Sequence, residues 1–298
     1  MKDINASAIE ERQVFDIPAI RIEVTAHDAE IKICPSLCHE NKGQFPKGVN
    51  NTVQYGNGIK TWASYFANQH VMNVERTAQI FEDLLNHRVS EATILKATDE
   101  LSEQVFPATE AVKEHLRQSE VLNLDESGLR VKSKLHWRNK TSTDKLTNYE
   151  VHAKRGQEAM AAAGILTNFK GTALPDHWKP YFKYEDCAHA LCNAHHLREL
   201  KFIEKQFQQT WSKKMAALLL EIKEAAPKNQ DDQLSPLQIE TFERKSDNIV
   251  KEGFEANPRS EPLEKNSKKR GPLKQTPPVN FLIRLRDFKQ EVLAFMYD

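Results

Sequence analysis

Apolar and polar residues follow different patterns in successive parts of the chain, and each pattern predicts a kind of secondary structure. Residues 11–33 alternate apolar and polar side chains, which predicts two short strands. Residues 58–117 repeat apolar side chains at helical spacing, which predicts two helices with Ser90 as the N-cap of the second. Such a pair fits either a helix-turn-helix DNA-binding unit or plain helix packing, and the scattered positions of the basic residues favour packing.

Residues 119–202 carry an alternating order of strand and helix patterns. The predicted elements are strands over 121–131, 135–141 and 148–153, a helix over 157–169, a strand over 171–175, and a strand that runs into a helix over 189–202. Short connections between the first three strands predict an antiparallel meander, and the helix before Gly171 allows a parallel crossover into the same sheet. This order matches a ribonuclease H-like core, so the predicted fold class is α/β.

The last third of the chain is predicted to be helical. Apolar stripes over 207–222 and 282–295 predict two helices, and the Ser-Pro-Leu-Gln segment that starts at Ser235 marks the beginning of another between them. The basic stretch 258–278 is interpreted as a solvated linker, with phosphate contact as the alternative.

Composition and charge narrow the classes of protein to consider. The 298 residues carry 42 basic and 42 acidic side chains, so any DNA-binding surface must be a local patch. The charged share is 28%, and no apolar run approaches the roughly 18 residues of a membrane span, which is typical of a soluble protein without a membrane partner. The N-terminus lacks the apolar stretch of a secretory signal, so we expect a cytoplasmic protein.

The four cysteines form two groups, which in the cytoplasm indicates metal or structural roles rather than disulfides. Cys34 and Cys38 follow the predicted strands and look like half of a zinc ribbon. A second pair of ligands is missing nearby. The two outcomes are therefore a filled Zn²⁺ site and a collapsed remnant of one.

The second group combines thiols with imidazoles, at Cys187, His189, Cys192 and His195. Its spacings fit a zinc site. However, Cys192 and His195 span the predicted strand-to-helix junction, where a buried thiol and a hydrogen-bonding imidazole can brace the sheet. We favour bracing over zinc, and Glu199 on the following helix is the nearest candidate for a further acid.

Two aspartates end apolar runs that are predicted to be strands. Asp125 follows residues 121–124, and Asp176 follows residues 171–175. Each aspartate alone is explained as a turn residue after a strand. In one sheet, however, the two carboxylates would meet at the same edge, where they repel and need a cation such as Mg²⁺ between them. Divalent ions held in this way support phosphodiester displacement.

Several segments of the chain resemble the ordered signatures of the insertion sequence 66 family of DDE transposases. They are Cys34-Pro, Gln54-Tyr55-Gly56, Asp125-Glu126-Ser127-Gly128, Lys154-Arg155-Gly156, Asp176-His177-Trp178 and the run from His189 to Leu200. The resemblance implies that Asp125 and Asp176 are the first two acids of the catalytic triad and bind Mg²⁺. It also implies that a cysteine-x-x-histidine motif, here Cys192 and His195, follows the second acid.

The resemblance also implies a domain organisation. We expect a zinc-ribbon remnant over 1–50, a helical and possibly DNA-binding domain over 51–117, a ribonuclease H-like core over 118–203, and an all-helical insertion over 204–298. The implied activity is DNA transposition by metal-dependent cleavage and strand transfer. The implied partners are the terminal inverted repeats of the element and further copies of the chain.

The family's third acid lies in an Asn-x-x-Glu-Arg segment beyond the insertion, and this sequence has no such segment. The last apolar stripe also reaches Asp298 without a capping residue. We therefore expect a protein that is truncated at both ends and inactive alone. The alternatives are a non-catalytic DNA-binding or regulatory remnant and a zinc-dependent structural module.

Overall fold

The computed structural model describes residues 10–36, 38–226, 233–258 and 275–297. The chain divides into two compact units, Met1–Pro107 and Ala108–Asp298, with the boundary inside one long helix. The finer division into four domains remains a prediction. Within the described ranges, no helix combines the length and the apolar character needed to cross a membrane.

The N-terminal hairpin is shorter than the sequence pattern predicts. Strand β1 (Ile31–Ile33) pairs antiparallel with β2 (Glu40–Lys42), whereas residues 10–30 form neither strand nor helix. The predicted first strand is therefore wrong. Its apolar side chains have no face to pack against, since Val14 is 89% and Phe15 92% exposed.

The chain is helical from Asn57, as predicted, but up to Arg117 it forms three helices instead of the predicted two. They are α1 (Asn57–Ser64), which continues as a π-helical turn (Tyr65–Gln69), α2 (Val74–Leu85) and α3 (Glu91–Arg117). The Ser90 hydroxyl accepts the Thr93 N–H at 3.2 Å, which confirms Ser90 as a cap. Phe81 and Ile94 are fully buried in the core that these helices share.

The second unit is built around a five-stranded sheet. Its strands are β3 (Val121–Val131), β4 (Lys134–Ser142), β5 (Thr147–His152), β6 (Thr172–Leu174) and β7 (Ala188–His189). Their order is β5-β4-β3-β6-β7, in which β3, β4 and β5 form an antiparallel meander and β6 and β7 add in parallel. The predicted meander and parallel crossover are both confirmed.

One face of this sheet is buried by the crossover helix. Leu122 and Leu124 of β3 are buried and pack with Met160 of α4 (Gln157–Ala163). The alternate residues Asn123 and Asp125 are exposed, so β3 separates an apolar face from a solvent-facing one. Helix α4 is shorter than predicted because Gly164 adopts a left-handed conformation and ends it.

The start of β6 lies unusually close to the start of β3. The Thr172 N–H donates to the Glu120 carbonyl at 2.7 Å. A Cβ on Gly171 would lie 2.3 Å from the Glu120 carbonyl oxygen and 2.7 Å from that of Ser119. These are backbone atoms, so a side chain at Gly171 would force the two strands apart.

In the described residues after the sheet, five helices share a further core around the fully buried Trp211. They are α5 (Asn193–Phe207), α6 (Thr210–Ala225), α7 (Pro236–Ala256), α8 (Pro277–Asp287) and α9 (Lys289–Val292). The predicted start at Ser235 is confirmed as a full capping box with Gln238. The predicted single C-terminal helix is wrong, because the backbone of Phe288 leaves helical geometry and separates α8 from α9.

The C-terminal helices are joined to the edge of the sheet through the start of α5. The Leu191 N–H donates to the Glu291 carbonyl at 2.7 Å, and the Asn193 side chain donates to the Val292 carbonyl at 3.0 Å. His196, one turn into α5, is 1% exposed and donates from Nδ1 to the Asn193 Oδ1 at 2.9 Å. Burial lowers the pKa of His196 to about 3, and the charge of Arg284 adds to this effect.

We expect Gly171→Ala to lower the free energy of unfolding by about 1–3 kcal/mol, because the new Cβ overlaps backbone atoms that cannot turn aside. Urea unfolding followed by circular dichroism measures this change. Gly128→Ala is the matched control, since its Cβ would meet side-chain atoms and no backbone, namely Leu135 Cδ1 at 3.2 Å and Trp137 Cζ3 at 4.0 Å. Equal stability of the Gly171→Ala and wild-type proteins would contradict the close approach of β6 to β3.

We expect stability to fall as the pH is lowered from about 6.5, the pKa of histidine in an unfolded chain, towards 3. The folded state holds His196 neutral over this range, so the unfolded state takes up the proton first. Arg284, His177 and His195 are the charged or titratable groups that act on His196. Urea unfolding at pH 7 and pH 5 should show a smaller loss for His196→Phe than for the wild type. A variant of the exposed His115 should behave like the wild type.

Candidate active site

The two predicted catalytic aspartates follow the paired ends of neighbouring parallel strands. β3 and β6 pair in the register Val121↔Thr172, Leu122↔Ala173 and Asn123↔Leu174. Asp125 and Asp176 each come two residues after the last of these pairs. The two aspartates therefore have the same offset from the end of the parallel pairing, although Asp125 is still paired with Lys140 of β4 whereas Asp176 lies in the loop after β6.

Each aspartate uses one oxygen to bind the local backbone. The Oδ1 of Asp125 accepts the Glu126 N–H, and the Oδ1 of Asp176 accepts the Trp178 N–H, each at 2.9 Å. Neither Oδ2 has a hydrogen bond or ion pair with the residues that the structure describes. Asp125 is exposed and Asp176 is half-buried, so one oxygen of each remains accessible to a cation.

These free oxygens suit a hard divalent cation such as Mg²⁺, which binds carboxylates and keeps several water ligands. In the described part of the chain, however, no three Asp, Glu, His or Cys side chains are grouped closely enough to hold a metal ion. The fit therefore concerns two protein ligands, with water or another donor completing the coordination.

Glu126 follows Asp125 on β3, so its side chain points to the opposite, buried face of the strand. Its side chain is 3% exposed, and its Oε1 accepts the Arg155 Nε–H at 2.9 Å and a second bond from Nη2 at 2.5 Å. Its Oε2 is buried without a partner among the described atoms. Burial raises the pKa of Glu126, while the bonds from Arg155 oppose this rise and the charges of Asp176 and Asp125 add to it.

The guanidinium of Arg155 lies over two indole rings. It lies 4.5 Å from the ring centroid of Trp137 on β4 and 4.0 Å from that of Trp178, which follows Asp176. Gly156 has a φ of +100°, and a Cβ there would lie 3.4 Å from the Trp178 ring. The Lys-Arg-Gly segment therefore provides both the cation and the space in which Trp178 packs.

The residues after Asp176 are largely enclosed by aromatic rings. Burial raises the pKa of Tyr181, and the charges of Glu126, Asp176 and Asp125 raise it further, so both aspartates act on the same buried neighbour. Burial also lowers the pKa of His177 to about 4. The His177 ring lies edge-on to Phe288, with 4.4 Å between the ring centroids. The loop after Asp176 is therefore packed against aromatic side chains.

The residues predicted to brace the sheet contact the segment before Asp176 through their backbones. The Cys192 thiol is only partly buried, and the Nδ1 of His195 is buried without a hydrogen-bond partner among the described atoms. The Cys192 N–H donates to the Pro175 carbonyl at 3.0 Å, and the His195 N–H donates to the Cys192 carbonyl at 3.0 Å. The first turn of α5 is thus bonded to the residue that precedes Asp176. Glu199 lies further along α5, where its two oxygens accept bonds of 2.8 and 2.9 Å from Nη1 of Arg284.

Neither of the two candidate zinc groups, for which zinc was the alternative, belongs to a cluster of three or more metal-binding side chains among the described residues. Cys187 Sγ lies 3.3 Å from the Tyr184 carbonyl, and His189 Nε2 lies 3.1 Å from the Tyr181 carbonyl, so both contact the backbone. Cys34 and Cys38 are free cysteines in the turn between β1 and β2.

Three functional candidates were missed by the sequence reasoning about chemistry, namely Glu126, Arg155 and Trp178. All three belong to segments that carry the family resemblance, and that was the available signal. The predicted basic patch at Lys265, Lys268, Lys269, Arg270 and Lys274 lies outside the described residues.

The comparisons with known proteins agree with the resemblance that these segments suggested. Residues 52–298 match the transposase IS66 family, and this range includes both aspartates and the whole second unit. A search of curated proteins found no match to the chain. The family match spans most of the 298 residues, and the chain therefore belongs to the IS66 family of transposases.

Proposed function

We propose that this chain contains a DDE transposase core of the ribonuclease H-like type, in which Asp125 and Asp176 bind Mg²⁺. Its reaction is cleavage and strand transfer of DNA at the terminal inverted repeats of the element. The observation that carries the proposal is that each aspartate follows the last residue pair of the adjacent parallel strands β3 and β6 by two residues. The family match supports the same reaction class.

The sheet topology supports the ribonuclease H-like assignment. The first three strands form a meander, and the fourth and fifth add beside the first in parallel, which gives the order β5-β4-β3-β6-β7. Ligands and catalytic groups in sheets with parallel strands collect at the carboxyl ends of those strands. Asp125 and Asp176 both lie at this end of the β3–β6 pair.

In this proposal, the free Oδ2 atoms of Asp125 and Asp176 hold the divalent ion, and their Oδ1 atoms stay bonded to the backbone. A bound divalent ion activates the attacking oxygen and stabilises the leaving oxygen of a phosphodiester. The backbone bonds fix the rotation of each carboxylate before the ion arrives. Preorganised ligands reduce the cost of assembling such a site.

The third acid is the incomplete part of this proposal. Glu199 is engaged by Arg284, and Glu204 is exposed near the end of α5. The Asn-x-x-Glu-Arg segment that the family resemblance implies is not in the 298 residues. We therefore propose that this polypeptide alone binds the metal weakly and does not cleave DNA efficiently.

The solvent-facing side of the sheet supports contact with a DNA strand. Lys140 is the cross-strand neighbour of Asp125, and Tyr149 is the neighbour of Lys140. Arg138 precedes Lys140 by two residues on β4 and lies 4.8 Å from the Tyr149 ring centroid. Tyr149 is 54% exposed. Cations bind phosphates and exposed aromatic rings stack on bases, so this surface suits DNA beside the metal ligands.

A non-catalytic, DNA-binding or regulatory role is the second candidate. It is favoured by the lack of a three-ligand metal group within the described ranges. The same sheet face would then bind DNA without cleaving it. Metal binding and DNA binding by the purified protein therefore test different parts of the proposal.

We expect the wild-type chain to bind Mn²⁺, used as a probe for Mg²⁺, and Asp125→Asn or Asp176→Asn to weaken this binding at least about 10-fold, because each removes a charged ligand. Isothermal titration calorimetry measures the affinity. Asp144→Asn, at an exposed acid between β4 and β5, is the control and should bind like the wild type. Mn²⁺ binding that is insensitive to both aspartate variants would contradict the metal site.

We expect Lys140→Ala and Arg138→Ala each to weaken binding of a short single-stranded oligonucleotide and to reduce the salt dependence by about one phosphate contact. Fluorescence anisotropy at several salt concentrations measures both effects. Lys213→Ala, at an exposed cation on α6, is the control. If all three variants bind DNA equally well, the sheet face is not the DNA surface.

A further inference from the structure

We infer that Arg155 is a positioning residue that sets the separation of the Asp125 and Asp176 carboxylates. Its guanidinium holds the loop that carries Asp176 against the strand that carries Asp125. This inference rests on the proposed metal site and names the side chain that maintains its geometry.

The backbone alone does not determine where Asp176 lies relative to Asp125. β6 has three residues, and its pairing with β3 ends at Asn123↔Leu174. Asp176 therefore lies beyond the ladder, in a loop. Contacts from side chains must fix its distance from the neighbouring strand.

Arg155 makes those contacts with three separate segments. It bonds to Glu126 on β3, and its guanidinium lies over the rings of Trp137 on β4 and Trp178 in the loop after β6. Arg155 itself follows β5 and precedes α4. One side chain thus connects β3 and β4 with the loop that carries the second aspartate.

Two residues that Arg155 contacts, Glu126 and Trp178, are each hydrogen-bonded to one of the aspartates. Glu126 is adjacent to Asp125, whose Oδ1 accepts the Glu126 N–H. Trp178 donates its own N–H to the Oδ1 of Asp176. A shift of Glu126 or Trp178 therefore moves the carboxylate to which its backbone N–H is bonded.

The chemistry of this position specifically requires arginine. A guanidinium is planar, and here it donates from both Nε and Nη2 to Oε1 of Glu126 while it lies over two indole rings. A lysine ammonium keeps the charge but lacks the planar group that makes both ring contacts and both bonds to Glu126. Lysine therefore tests geometry at constant charge, and Glu126 retains a cation beside it.

The experiment is a titration with Tb³⁺, a hard oxygen-seeking ion that replaces Mg²⁺ and luminesces when a nearby indole is excited. Trp178 and Trp137 both belong to the Arg155 cluster, so Tb³⁺ bound at the aspartates should be sensitised. We expect saturable luminescence from the wild type, its loss in Asp125→Asn, and an affinity about 10-fold weaker in Arg155→Lys, as is usual for groups that orient metal ligands.

Arg117→Lys is the matched control. Its guanidinium also stabilises the second unit, since Nε donates to the Gly164 carbonyl at 2.8 Å and Nη1 contacts Glu114 at 2.7 Å. It makes no bond to the aspartate loop. We expect this variant to lose stability in urea unfolding while its Tb³⁺ affinity stays at the wild-type value. A purely structural role for Arg155 predicts the same behaviour for Arg155→Lys.

The outcomes separate the inference from the function on which it rests. If Asp125→Asn abolishes Tb³⁺ binding but folded Arg155→Lys binds like the wild type, the positioning role is overturned and the metal site stands. If Arg155→Lys does not fold, Trp178→Leu replaces it, and wild-type affinity in that variant overturns the inference. If Asp125→Asn has no effect on Tb³⁺ binding, the metal site and the inference both fail.

Discussion

The short parallel ladder between β3 and β6 is the constraint on which the candidate site depends. Three residue pairs fix the register, and each aspartate follows the last of these pairs by two residues. The ladder begins where Gly171 lies against the Glu120 and Ser119 carbonyls. A side chain there would separate the strands at their start, so the absence of one at Gly171 permits the arrangement of carboxylates at their ends.

Beyond the β3–β6 ladder, the contacts between the Asp176 loop and the neighbouring strands are made by side chains. Charges as buried as the Glu126 carboxylate are costly unless they are paired, and a buried pair is rarely the most stabilising choice for a core. Here the Glu126–Arg155 pair contacts β3, β4 and the Asp176 loop together. Placement of the loop explains this pair better than stability does. On the other side of Asp176, the Cys192–Pro175 bond restricts the same loop.

Much of the second unit could be predicted because local patterns agree with long-range packing there. The alternation over Val121–Val131 matches a strand with one buried face, and the two aspartates end apolar runs. The segment 10–30 has the same alternation but no surface to pack against, so the prediction failed. The break at Phe288 was hidden because α8 and α9 both follow an apolar stripe. The Arg155 cluster joins residues far apart in sequence, and no local pattern reports such contacts.

The alternation of β3 also separates the two tasks of the site. Asp125 and its neighbours Lys140 and Tyr149 lie on the solvent-facing side, where the proposed function puts metal and DNA. Glu126 lies on the other side with Arg155 and the apolar core. A change on the solvent-facing side can alter binding while the fold persists, whereas a change on the buried side acts on binding only through the position of a carboxylate. This difference is why metal affinity and stability must be measured together to assign a role to either residue.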